Sequence, residues 1–202
     1  MHRMTILPQI LQYKGILNFH HTQNIWCNAV DYPGHVFQLA LIALGIPTVF
    51  NILGPLANPA KPQAAAIGVA NERMHLVMAQ VLGDRGVDGF VFRGDDGLDE
   101  ITLATTTSVL TIGNGEISSD LLDPLDFGIE RAPISALAGG DGAENARITT
   151  AIFNGEKGAP RDAVVLNAAA AIAAFDGKFE LNLYDRIALG VERAIAAIES
   201  GA

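Results

Sequence analysis

The sequence predicts an α/β protein, a mainly parallel sheet flanked by helices with a helical C-terminal layer. Three observations carry that expectation. A strand–helix–strand pattern fills residues 63–94, the size of a crossover between parallel neighbours. The last third of the chain reads as three successive helices. Half of the residues are apolar but only 6% are aromatic, and such small side chains suit helices packed closely on a sheet.

The elements follow in order. ILPQILQYKGILNF is apolar without a clean period, and FHHTQNIWCNAVDYPGH reads as loop. HVFQLALIALG (35–45) reads as a helix stopping at Gly45. QAAAIGVA (63–70) is a short apolar run fit for a buried strand. NERMHLVMAQVLGDRG (71–86) spaces Met74, Val77, Met78, Val81 and Leu82 as a helix face, with Asn71 as its N-cap. DGFVFRG (88–94) is a second buried strand. TTTSVLTIGNGEIS (105–118) alternates like a β-hairpin turning at GNG. Helices are expected over 140–155 from an Asp cap, over 159–177 with Pro160 in the first turn, and over 183–201 with a stripe of Ile187, Val191, Ile195 and Ile198. The Ala-rich middle helix has almost no polar face and should be buried between neighbours. Asn167 within it needs a partner, and a hydrogen bond to a loop is the expected one.

Composition divides the chain near Leu44. Residues 1–44 hold His2, His20, His21, His35, Trp26 and Cys27 but only three charged side chains, Arg3, Lys14 and Asp31. Residues 45–202 carry nearly all the charge. The formal net charge of −9 opposes a nucleic-acid backbone or an anionic membrane surface as partner. The single cysteine excludes an internal disulfide framework and a Cys-based zinc site. Cys27 reads as a small packed hydrophobe, and adjacent His20 and His21 point different ways. No apolar run reaches the roughly 18–20 residues of a membrane span, and no signal-peptide pattern opens the chain, so cytoplasm is the expected location.

Two stretches carry chemistry. In FNILGPLANPAKP (50–62), Gly54-Pro55 and Asn58-Pro59 make a stiff turn that can wall a pocket. In GDDGLDEITLATTTSVL (94–110), Asp95, Asp96, Asp99 and Glu100 crowd the end of a strand, where ligands of open α/β sheets bind. With no neighbouring Lys or Arg expected, adjacent carboxylates are hard oxygen ligands suited to Mg²⁺, which takes one or two of them together with waters and a substrate phosphate. No nucleophile triad appears in 45–202.

These stretches, in this order, with FGIERAPISALAGGDGAENA and GAPRDAVVLNAAAAI following, resemble the anthranilate phosphoribosyltransferases of the glycosyltransferase family 3 and nucleoside phosphorylase-like group. The resemblance runs from about Gly45 to Ala202, with Ala159 inside the family's GPRD pattern. It implies transfer of phosphoribosyl from 5-phosphoribosyl pyrophosphate (PRPP) to the amine of anthranilate, with release of pyrophosphate, in tryptophan biosynthesis. It implies Mg²⁺ at Asp99 and Glu100, an anthranilate-lining Gly54 and Pro55, and a homodimer. Asp95 and Asp96 would then be supporting or solvated.

Residues 1–44 depart from that pattern. The family's GTGGD-type glycine loop and KHGNR-type segment do not occur in the chain, and its anthranilate-binding arginine would fall near Leu41. The expected division is therefore an atypical leader, 1–44, and the C-terminal part of a catalytic domain, 45–202, with a separate N-terminal half as a candidate partner. The alternatives are a relative that uses phosphate against nucleosides and a non-catalytic module of the same fold.

Overall fold

The computed structural model describes residues 55–56 and 61–201. Gln63 onward belongs to one compact unit, while 55–56 and 61–62 belong to a second. The expectations for the 1–44 leader, the helix over 35–45 and Gly54 lie outside the described residues.

The first unit opens with β1 (Ala64–Gly68), α1 (Glu72–Asp84) and β2 (Asp88–Gly94). Asn71 caps α1 as expected, its Oδ1 accepting from the N–H groups of Arg73 and Met74, an arrangement worth about 1 kcal/mol. The helix carries the chain back so that β1 and β2 pair in parallel, Ala64 opposite Asp88 and Gly68 opposite Phe92. The hairpin follows as β3 (Thr107–Gly113) and β4 (Glu116–Leu122). Its turn uses Asn114 and Gly115 at φ 54° and 81°, the left-handed pair that matches strand twist.

The described sheet has the order β1-β2-β3-β4, with β2–β3 and β3–β4 antiparallel. A mainly parallel sheet is thus corrected, for the described residues, to a mixed one. A parallel neighbour needs a crossover, and the chain leaves β2 through the loop 95–106 with no helix in it.

Helices cover both faces. On one, α1 presents Gly83 to Ile112. On the other, alternate residues Phe90 and Gly113 meet Arg186 and Phe179. The C-terminal layer is α2 (Gly142–Phe153), α3 (Ala159–Asp176) and α4 (Leu183–Ser200). Asp141 caps α2 through Glu144 N–H, and Asn182 caps α4 through Asp185 N–H. As its composition predicts, α3 is buried almost throughout, from Arg161 to Ala174 with few gaps. Gly190 brings α4 against it, since a Cβ there would stand 2.4 Å from the Ala169 carbonyl oxygen. Arg186 lies buried between two rings, 4.5 Å from the Phe90 centroid and 4.2 Å from that of Phe179. Burial lowers its pKa, opposed by Glu180 and Asp88.

Candidate functional site

The acidic loop leaves the carboxyl end of β2, where the sheet's ligand edge is expected. Its first half is a tight turn. Gly97 N–H donates to the Gly94 carbonyl at 2.8 Å and Gly94 N–H to the Leu98 carbonyl at 2.9 Å. Gly97 sits at φ +92°, a conformation that favours glycine. Asp96 braces this turn, one carboxylate oxygen accepting from Leu98 N–H at 3.2 Å and the other from the Thr102 hydroxyl at 2.6 Å. Asp95 accepts from the hydroxyls of Thr106 and Ser108, and its N–H donates to the Thr106 carbonyl. The Asp95 carboxylate therefore ties the loop to the start of β3, while that of Asp96 ties the turn to Thr102 within the loop.

Asp99 and Glu100 are held differently. Asp99 is exposed, whereas Glu100 is only 9% exposed. The Asp99 carbonyl rests on Gly68 of β1, where an added Cβ would come within 1.6 Å of the oxygen. Immediately after Glu100, Asn167 of α3 takes the Ile101 peptide from both sides. Its Oδ1 accepts from Ile101 N–H at 2.9 Å, and its Nδ2 donates to the Ile101 carbonyl at 3.0 Å. This is the loop partner expected for a polar group in an apolar helix. Thr102 N–H donates to Thr107 Oγ1, and Ala104 N–H to Thr102 Oγ1.

Among the described residues no three His, Cys, Asp or Glu side chains converge to hold a metal. The four carboxylates thus do not form one cage, and Asp99 with Glu100 offers two hard oxygen groups at most. That donor set fits Mg²⁺, which keeps waters and takes substrate phosphates for its other positions. One reading needs correction: a cation does flank the loop. The Arg93 guanidinium, donating from Nε to the Ala70 carbonyl at 3.0 Å, lies 4.0 Å from where a Cβ on Gly97 would stand. It belongs to β2 itself, so scanning residues 95–100 could not find it.

Pro55, the described member of the Gly54-Pro55 pair, is exposed in a short helical segment. Sequence reasoning also missed Gly68, although a glycine inside a strand is a signal for close backbone approach. A separate cleft of about 180 Å³ lies between residues 136–138, α2 and the start of α3. Its two arginines are already paired, Arg147 with Glu144 and Arg161 with Glu199.

The family model described as the glycosyl transferase family, a/b domain, matches residues 30–202. The anthranilate phosphoribosyltransferase of Acidothermus cellulolyticus is 50% identical over 158 residues, covering 78% of this chain and 44% of that protein. The crystal structure of the anthranilate phosphoribosyltransferase from Thermus thermophilus superposes with a TM-score of 0.64 at 37% identity, over 79% of this chain and 48% of that one. The Saccharomyces cerevisiae enzyme in complex with PRPP and Mg gives a TM-score of 0.70 at 29% identity, over 83% of this chain and 47% of that one. The same yeast enzyme has been solved with 4-fluoroanthranilate. The chain spans less than half the length of these relatives.

Proposed function

The chain belongs to the glycosyl transferase family by its a/b domain, and from that premise we propose that it carries the C-terminal part of an anthranilate phosphoribosyltransferase. The observation that carries the reading is the loop after β2, where Asp99 and Glu100 are set apart from the two carboxylates that brace the turn. In this reading they hold Mg²⁺, and the exposed Asp99 faces the incoming pyrophosphate of PRPP. The metal supplies neutralisation of a poor leaving group. The chain's own residues bind and orient: the rigid turn keeps Asp99 and Glu100 at the sheet edge, and Gly54-Pro55 lines the anthranilate side. The nucleophile is a neutral aromatic amine, so placement and charge stabilisation supply the rate and no base or nucleophile is assigned.

The division into a 1–44 leader and a 45–202 catalytic part belongs to the proposal, although the family model begins within that leader, at residue 30. A homodimer, an N-terminal partner segment and a cytoplasmic location complete the proposal. Among the described residues no helix is long and apolar enough to cross a membrane.

The test is calorimetric titration of PRPP into the full chain with and without Mg²⁺, beside an Asp99→Ala/Glu100→Ala variant. Mg²⁺-dependent binding that weakens at least about tenfold in the variant is expected; equal affinity in both proteins would overturn the assignment. Anthranilate fluorescence in the same samples separates the enzyme from a second reading, a non-catalytic module of this fold. Consumption of anthranilate that the variant loses establishes catalysis by this chain. Binding without consumption establishes the module.

A further inference from the structure

The two peptide planes that flank Glu100 are held by two different elements. The plane before it carries the Asp99 carbonyl, seated on Gly68 of β1 so closely that no Cβ fits between them. The plane after it carries the Ile101 N–H, which donates to Asn167 Oδ1 at 2.9 Å. Asn167 Nδ2 closes the clamp on the Ile101 carbonyl at 3.0 Å, and a further 3.0 Å bond to the Ala163 carbonyl fixes the amide on its own helix. With both planes held, φ and ψ of Glu100 are set, and so is the direction of its Cα–Cβ bond. Its staggered side-chain torsions then carry the carboxylate from that fixed origin. Asn167 is 5% exposed and both of its amide protons are committed, so it is not itself available to a ligand.

We infer that Asn167 is a positioning residue for the phosphate-facing metal site. It aims the Glu100 carboxylate by holding the Ile101 peptide, from a helix buried almost throughout. The inference rests on the reading of Asp99 and Glu100 as metal ligands. Partners of this kind, one bond removed from a ligand, typically change metal affinity by 10- to 100-fold.

The molecule contains a matched control. Asn145 of α2, 3% exposed, holds Gly140 by the same two-point clamp, accepting from Gly140 N–H at 2.9 Å and donating to its carbonyl at 3.3 Å. It grips a helix entry, not the acidic loop. The experiment titrates Mn²⁺ into the full chain, following free ion by electron paramagnetic resonance. It compares wild type, Asn167→Ala and Asn145→Ala, with the urea midpoint and the exchange rate of the Ile101 amide measured for each. Both variants should lower the midpoint. Only Asn167→Ala should weaken Mn²⁺ binding, by about tenfold, and speed exchange at Ile101. Asn167→Asp, which keeps the acceptor for Ile101 N–H and loses the donor, should fall between and serves if the alanine variant does not fold. Wild-type affinity in folded Asn167 variants overturns the positioning role and leaves the ligand assignment standing. An equal loss in Asn145→Ala assigns the effect to general loosening and overturns it as well. No Mn²⁺ binding by wild type overturns the ligand assignment, and the positioning role with it.

Discussion

Asp95 and Asp96 stand only a few residues from Asp99 and Glu100, yet the two pairs do opposite work. The first pair is exposed but bonded within the loop and to the start of β3. Its oxygens accept from Thr102, Thr106, Ser108 and the Leu98 N–H, and its charge is spent on shaping the loop. In the second pair the main chain is held and Asp99 faces solvent, with Gly68 beneath one peptide and Asn167 clamping the next. Like charges can crowd a strand end when some of them are consumed as acceptors.

That contrast can be broken at three points. The largest effect is expected from Gly68→Val. Its Cβ would enter the space of the Asp99 carbonyl, and the resulting overpacking should cost about 3 kcal/mol in urea unfolding and disturb the second pair. A variant as stable as wild type would show that Asp99 is not seated on β1. Next is Asp96→Ala, which strands the Thr102 hydroxyl and Leu98 N–H and should lower stability by about 1–2 kcal/mol. Mn²⁺ affinity, measured on the folded variant, should stay near the wild-type value; a large loss would move Asp96 into the ligand set. The smallest effect on stability belongs to Asp99→Asn. Its side chain is exposed, so the unfolding free energy should change by less than about 0.5 kcal/mol, while Mn²⁺ binding falls. If stability falls instead and binding does not, the two pairs have been assigned the wrong way round.

Much of this fold was legible because its punctuation is local. Asn71, Asp141 and Gly177 mark helix ends by what their own side chains or backbones allow, and Asn114-Gly115 marks the hairpin. The partner of Asn167 could be anticipated because an amide in an alanine-rich helix must bond to something outside it. The direction of β3 was not legible in the same way, since it depends on whether a helix or a loop leaves β2. Nor was the sorting of the four carboxylates. They have the same charge and lie within six residues; what separates them comes from Thr106 and Ser108 downstream and from Gly68 on another strand. Arg186 escaped notice for a similar reason, because one of its two stacking rings, Phe90, comes from a strand far from it in sequence.

The β3–β4 hairpin gives the molecule a ruler. Strand β3 starts at Thr107 beside the acidic loop and runs to Gly113, a length of about 20 Å at roughly 3.4 Å per residue. Just past the turn, Glu116 is exposed. A spin label on a cysteine at that position, with Cys27 changed to serine, would lie one strand length from the acidic loop. A paramagnetic ion bound there would then be located by dipolar distance, and its position would distinguish Asp95-Asp96 from Asp99-Glu100 without any assay of turnover.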